Sequence, residues 1–303
     1  MTVPDSARTL LGIGLLLFSG LCFTLNTIIA AMAFKDGLDL NTANAMRYCL
    51  ATALLAIYLK VRKRKLRLPP RERIISLALG IPIFMMGVGY LGAIRYIPVS
   101  LAVLIFYTCP FLVAFISRFT ENEPITATRL AAILLAFTGL ALALKVQSTA
   151  AVSILGILFA SMAAAGFASF VTVSSLALRA ADRQAVLLHS LAAGTALFGL
   201  FFIITNGTEV AGTPSGWLKV GAAGVFVASA YITFFAGLEI AGPVKSAMIL
   251  NIEPVLTIVI AALLLGERLA YVQLCGAGMV IGGIVLITGP PRKSKGHIKK
   301  LHG

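Results

Sequence analysis

The sequence predicts an all-α integral membrane protein with ten transmembrane helices, arranged as two inverted five-helix repeats. Composition is the first observation: 59% of the 303 residues are hydrophobic and only 12% are charged, far from the balance of soluble domains. A bilayer core about 30 Å thick needs about 20 apolar residues per helix, and ten runs of this kind occur. They cover residues 10–33, 42–60, 74–94, 97–117, 127–144, 153–177, 184–204, 217–238, 244–265 and 270–289.

An internal repeat is the second observation. Residues of the first half recur 144 positions later without a gap, which indicates a duplication. The matching pairs are Gly12 with Gly156, Phe23 with Phe167, Pro110 with Pro254, Glu123 with Glu267, and Gly139 with Gly283. Because each repeat holds an odd number of spans, the second half must enter the membrane from the opposite side. We therefore divide the chain into an N-terminus (1–9), two repeats (10–145 and 146–289) and a basic tail (290–303).

The distribution of charge predicts the orientation. The net charge is +14, and 13 of the 25 basic residues lie in the 60–73 loop or on the 290–303 tail. By the positive-inside rule both segments are cytoplasmic, and ten spans then place the N-terminus in the cytoplasm as well. Orientation accounts for the charge, so we expect the lipid bilayer as a partner and no nucleic acid.

Motifs of soluble enzymes are missing from the sequence. No H-E-x-x-H, G-x-x-x-x-G-K-[ST] or G-x-S-x-G pattern occurs, and these patterns would indicate metalloprotease, nucleotide and hydrolase sites. The four cysteines fall inside spans and form no C-x-x-C pair, so neither a metal site nor a disulfide framework is indicated. We therefore predict no catalytic residues, no metal and no cofactor.

Glu253 is the most informative polar residue within the spans. It lies about ten residues into the ninth span, hence about 15 Å deep, where ionisable side chains are costly and commonly functional. Pro254 removes a backbone hydrogen bond to the carbonyl of Leu250 and is predicted to open the helix there, beside the amide of Asn251. Glu253 could bind a substrate or a proton, or could clamp two helices together; the sequence leaves both roles open.

The fourth span carries Tyr107, Thr108 and Pro110 at the positions that the repeat relates to Asn251, Ile252 and Pro254. A proline at the same depth in both halves favours a shared central cavity over two independent kinks. The third span is loosened by glycines and by Pro82, which adds a further predicted helix break.

Other polar and aromatic side chains complete the candidate cavity. It comprises Asn26, Tyr90, Tyr107, Thr108, Tyr231, Asn251 and Glu253. Arg47 lies several residues inside the second span, and we expect a structural role for it because its repeat partner, Leu191, is apolar. Glu123 and Glu267 are likewise expected to be structural charges. Gly278 and Gly282 form G-x-x-x-G, a helix-packing pattern of weak specificity.

Two tandem five-span halves, each with a proline-interrupted span, an acidic turn and a glycine-bearing helix, resemble the EamA branch of the drug/metabolite transporter superfamily. The matching segments run from Ala93 through Cys109-Pro110 to Glu123, from Gly237 through Glu253-Pro254 to Gly266-Glu267-Arg268, and over Met46-Arg47-Tyr48. The resemblance covers residues 10–289. The first acidic turn departs from the family's Gly-Glu pattern, because it reads Asn122-Glu123.

The resemblance implies a secondary transporter that exports small metabolites, with amino acids, including aromatic ones, as the substrates we expect. It also implies a bacterial cytoplasmic (inner) membrane and a cavity formed by spans one, three, four, six, eight and nine. Because Arg47 is the one basic residue clearly within a span, phosphorylated substrates, which need convergent cations, are disfavoured. A coupling proton is a further candidate partner. The alternatives are an importer or drug carrier of the same fold, a membrane-embedded enzyme, and a channel.

Overall fold

The computed structural model describes residues 5–38, 40–63, 67–122, 124–144, 153–179, 181–206, 212–265 and 269–288, and within them the chain is helical. The helices are α1 (Asp5–Lys35), α2 (Leu40–Val61), α3 (Pro70–Ala78), α4 (Gly80–Ala93), α5 (Val99–Phe106), α6 (Cys109–Thr120), α7 (Ala127–Ala143), α8 (Ile154–Leu178), α9 (Arg183–Asn206), α10 (Pro214–Ala241), α11 (Pro243–Ile249), α12 (Ile252–Leu265) and α13 (Tyr271–Thr288).

These helices account for ten spans, because α3 with α4, α5 with α6, and α11 with α12 each form one interrupted span. Eight spans in the described part of the chain are long and apolar enough to cross a membrane, and α7 is a shorter apolar helix. The remaining span is α2, which has 22 residues but carries Arg47 and several amides and hydroxyls near its start. The predicted all-α fold of two five-span repeats is confirmed.

Spans four and nine are each interrupted within one helical turn before a proline. Helix α5 ends before Tyr107 and Thr108, and Pro110 then occupies the first turn of α6. A proline is tolerated there because the first amides of a helix lack intrahelical partners. In span nine the break falls at Leu250 and Asn251. The carbonyl of Leu250 was expected to be free, but it accepts a hydrogen bond from the backbone N–H of Glu253 at 3.0 Å.

The packing between the halves follows the inverted symmetry. Helix α1 packs along α10, and α8, its repeat partner, packs along α4. The contacts of two glycines show the same symmetry between the halves. Gly12 lies against Ile240 and Ala241, and Gly156 lies against Tyr96 and Ile97, which stand 144 positions earlier in the sequence. Helices α7 and α13, and likewise α2 and α9, pair with each other across the same pseudo-two-fold axis.

The glycines that bring α13 against α7 are not the predicted ones. A Cβ on Gly276 would lie 2.4 Å from the carbonyl oxygen of Gly139, and one on Gly283 would lie 2.7 Å from that of Ala132. By contrast, Gly278 has open space around it, and Gly282 would meet only a leucine side chain at 3.5 Å. The G-x-x-x-G pattern therefore lies off the tightly packed face, because the helix is rotated to bring positions 276 and 283 towards α7.

Candidate functional site

A central cavity of about 480 Å³ lies between the two repeats. Its walls come from the second half of α1, the start of α2, the end of α4, α5, the first turn of α6, and the middle of spans six, eight and nine. Because consecutive spans alternate in direction, these segments all lie between the membrane midplane and one face. Its polar lining residues are Asn26, Thr27, Asn44, Arg47, Tyr48, Tyr90, Ser100, Tyr107, Tyr231, Glu253 and Thr257.

Glu253 of the second half is held on one wall of this cavity by hydroxyl groups of the first half. Tyr107 donates a hydrogen bond from its phenol to Oε2 of Glu253 at 3.0 Å, and the Thr27 hydroxyl also hydrogen-bonds the carboxylate. The backbone carbonyl of Glu253 accepts from Thr24 Oγ1 at 3.2 Å and from Thr257 Oγ1 at 2.9 Å. The break in span nine thus presents an acidic side chain that joins the first and fourth spans to the ninth.

Aromatic rings form the walls around this carboxylate. The hydroxyl groups of Tyr48 and Tyr231 are 3.3 Å apart, and the Phe23 ring meets Tyr231 edge to face at 5.3 Å between centroids. On the other wall, Phe106 lies 5.1 Å from the Tyr107 ring. Such surfaces bind apolar ligand groups while a few polar atoms fix the ligand's orientation.

Arg47, for which we expected a structural role, lines the cavity from α2. Its Nη1 donates to Oδ1 of Asn26 at 3.3 Å, and its Cζ lies 5.4 Å from the centroid of the Tyr48 ring. Glu253 lines the same cavity, yet these two charged side chains are not within ion-pair distance of each other. Within the described residues no cluster of histidine, cysteine and acidic side chains could hold a metal ion.

The structure separates the predicted site residues into three groups. Asn26, Tyr90, Tyr107, Tyr231, Glu253 and Pro254 line the cavity together with Arg47. Thr108 and Asn251 lie outside its lining: the Thr108 hydroxyl turns back to the carbonyl of Ile105 at 2.7 Å, and Asn251 is 3% exposed with its Oδ1 unpartnered. Pro110 is buried, Pro82 is half-buried in α4, and Glu123 and Glu267 lie outside the described residues.

Several lining residues were not predicted. Thr27, Asn44 and Tyr48 are polar, while Phe23 and Phe106 are apolar. Asn44 and Tyr48 come from span two, which the family resemblance did not include among the cavity spans. A periodicity signal was available, because positions 44, 47 and 48 share one face of a helix. The notable aromatic and polar content of that face could have identified it.

The opposite side of the molecule is closed. Phe170 stacks against Phe234 with ring centroids 6.1 Å apart, and both side chains are 1% exposed. Nearer that face, an ion pair of 2.7 Å joins Arg179, after α8, to Glu121, after α6, and only 6% of the Glu121 side chain is exposed. The cavity therefore communicates with one face. It is separated from the other face by the ring contact within the second repeat and by the Glu121–Arg179 ion pair between the repeats.

An ion pair also joins two spans at the face of the molecule to which the cavity opens. Lys219 on α10 donates to Oδ2 of Asp36, just after α1, at 2.7 Å. This hydrogen bond, with a second one from Ser215, holds the pKa of the Asp36 carboxyl below its ordinary value. The pair connects the first repeat to the second at the end of the tightly packed α1–α10 contact.

Comparison with known proteins places this geometry in a wider group. One solved crystal structure of a protein superimposes with a TM-score of 0.78 at 20% sequence identity, covering 93% of this chain and 96% of the other; at that identity it shows the shared fold. No curated protein matches the sequence. The EamA-like transporter family model matches twice, over residues 10–145 and 154–289. The chain therefore belongs to the EamA-like transporter family, whose members carry small molecules across membranes.

Proposed function

We propose that this protein is a secondary transporter that exports small amphiphilic metabolites, most of all amino acids and including aromatic ones. The observation that carries the proposal is the cavity of about 480 Å³, which is lined by one carboxylate, one guanidinium and several aromatic rings. Ligand sites of this size are mostly apolar, with a few polar groups that fix orientation. An α-amino acid with a large side chain has the matching groups: an amine, a carboxylate and an apolar body.

The amine of such a substrate is assigned to the pole formed by Glu253, Tyr107 and Thr27. A carboxylate with two hydroxyl donors retains lone pairs that can accept from an ammonium group. This pole lies near the membrane midplane, where both repeats contribute to it and where transporters of inverted-repeat design bind their substrates. Phosphorylated compounds fit poorly, because the lining contains a single cation and the acid of Glu253 repels them.

Transport follows from rocking one repeat against the other. With both termini and the 60–73 loop in the cytoplasm, the side to which the cavity opens is external, in the cytoplasmic membrane of a bacterium. The closed side, sealed by Phe170, Phe234 and the Glu121–Arg179 pair, is then cytoplasmic. Opening this seal while the external ends of the spans close moves the same site to the other face. A proton on Glu253 is the candidate coupling ion, because acidic side chains at membrane depth commonly serve as proton relays in transporters.

The experiment is a flux measurement with purified protein in liposomes. We expect L-phenylalanine, and other amino acids with large apolar side chains, to move with a saturating concentration dependence. Overexpression in cells should also raise tolerance to toxic amino-acid analogues, since an exporter lowers their internal concentration. Flux of phosphorylated compounds alone would refute the substrate class, and accumulation of analogues inside overexpressing cells would support the importer alternative.

Two further outcomes separate the other classes of protein. A channel would give flux that does not saturate with concentration, and the described cavity shows neither a carbonyl filter nor a charged ring. A membrane-embedded enzyme would chemically convert the solute, and it needs clustered catalytic groups. Solute recovered unchanged on the other side of the membrane would therefore support the carrier.

A further inference from the structure

Arg47 is a cation that faces the cavity without an acidic partner in the described part of the chain. Its hydrogen-bond and ring contacts are with neutral groups: the Asn26 amide oxygen at 3.3 Å and the face of the Tyr48 ring, 5.4 Å from the guanidinium carbon. Its Nε is buried and has no hydrogen-bond partner. A guanidinium has five N–H donors, so this side chain retains donor capacity on the cavity side.

This arrangement is costly in a membrane. Arginine stays charged under all physiological conditions. Charged groups at membrane depth pair with opposite charges or face water-filled cavities. Glu253 is the acid in the same cavity, but it does not form an ion pair with Arg47 and already accepts from Tyr107 at 3.0 Å. Arg47 attracts the Glu253 carboxylate through space but forms no ion pair with it, so N–H donors of the guanidinium remain for a ligand in the cavity that both residues line.

We propose that the substrate supplies the missing counterion: Arg47, oriented by Asn26, is a subsite for the carboxylate of the transported molecule. A planar guanidinium binds two carboxylate oxygens at once, and Asn26 acts as a positioning residue by holding Nη1. This inference rests on the proposed function, because it takes the cavity as the substrate site. It narrows the preferred substrates to carboxylic acids with an apolar body, and it predicts weaker binding of organic cations that lack a carboxylate.

Glu253 restricts the class further. An anion with two or more charges would meet the acid of Glu253 within the same cavity, and a single guanidinium could not compensate it. A zwitterion satisfies both poles, since its carboxylate reaches Arg47 while its ammonium reaches Glu253. Tyr48 and Tyr231, whose hydroxyl groups lie 3.3 Å apart, are positioned on the same wall as Arg47 and contact the apolar body.

The test measures whether the affinity that a ligand gains from its carboxylate requires Arg47. L-phenylalanine and L-phenylalaninamide differ in that carboxylate, which the amide replaces by a neutral group. Dissociation constants for both, measured by calorimetry on purified protein, form a thermodynamic cycle with Arg47→Gln. In the wild type we expect the acid to bind about tenfold more tightly than the amide, the size of one charge-assisted hydrogen bond.

In Arg47→Gln the acid should weaken to within about twofold of the amide, while binding of the amide stays within about twofold of its wild-type value. Arg47→Met provides a second neutral variant; removing an unpaired charge from the membrane should not impair folding. Arg95→Gln is the matched control, because Arg95 is an exposed residue on the same side that does not line the cavity. It should leave both constants unchanged.

Three results would overturn the assignment. Equal binding of acid and amide by the wild type would exclude a carboxylate subsite, while saturable flux of either compound would leave the export proposal intact. An unchanged acid-to-amide ratio in Arg47→Gln and Arg47→Met would remove Arg47 from the subsite. Loss of amide binding in both variants would show a structural role. If the wild type neither binds nor moves either compound, the proposed function itself fails for aromatic amino acids.

Discussion

Replacing Glu253 by glutamine separates a transport role from a structural one. Glutamine keeps the size and one acceptor oxygen, so the Tyr107 phenol, 3.0 Å from Oε2 in the wild type, retains a partner. A hydrogen bond to a charged acceptor contributes about 1.5–3 kcal/mol and a neutral one about 0.5–1.5 kcal/mol, so this contact weakens by about 1 kcal/mol. Removing a charge from the membrane acts in the opposite direction. We expect the free energy of unfolding to change by less than about 1 kcal/mol.

The effect on transport should be much larger. If Glu253 accepts the substrate amine, the variant loses a charge-assisted hydrogen bond, which corresponds to roughly a tenfold to hundredfold loss in saturable flux at low substrate. If the carboxylate carries the coupling proton, the variant should lose the pH dependence of flux as well. Liposome flux divided by the amount of folded protein, together with the melting temperature in detergent, measures both quantities.

Glu239→Gln is the matched control for Glu253→Gln. Glu239 pairs with Arg183 near the closed face, where 43% of its side chain is exposed, so flux should stay near the wild-type value. Wild-type flux and pH dependence in a folded Glu253→Gln protein would refute the reasoning. A large drop in melting temperature with unchanged flux per folded molecule would instead identify Glu253 as a clamp between helices.

The remaining predictions concern packing and topology. Gly276→Ala should destabilise the protein by about 1–3 kcal/mol, because the new Cβ would lie 2.4 Å from the Gly139 carbonyl oxygen; Gly278→Ala, with open space around it, should be neutral or stabilising by up to about 1 kcal/mol. Equal melting temperatures for the two variants would contradict the observed face of α13. In a background without native cysteines, an impermeant thiol reagent on intact cells should label Thr213→Cys and not Arg62→Cys; labelling of the latter from outside would reverse the proposed orientation.

The local features of the sequence predicted much of the fold. Span lengths follow from bilayer thickness, and the 144-residue repeat with five spans per half requires inverted topology whatever the packing. Helix breaks near Pro110 and Pro254 were also predictable, since proline acts on its own backbone and on the preceding turn. The carbonyl of Leu250 was harder to predict, because the chain satisfies it by a tighter turn in which the N–H of Glu253 donates.

The rotation of each helix about its axis was decided by the tertiary structure. Sequence periodicity shows which positions share a face, but packing against a particular neighbour determines where that face points. Thus Gly276 rather than Gly278 meets α7, and Thr108 turns away from the cavity that Tyr107 lines. Arg47 shows the same limit, because its depth was predicted while its direction was not.

The contacts between the halves depend on the tertiary structure most of all. Tyr107 and Glu253 are 146 residues apart in the sequence, yet their side chains meet at 3.0 Å. The repeat pattern alone determined that spans four and nine would be broken at equivalent depths in the two halves. The sequence places Tyr107 beside one break and Glu253 beside the other. Only the packed structure decided that the two side chains would form a hydrogen bond, because that contact depends on the relative position of two helices, which no local sequence signal specifies.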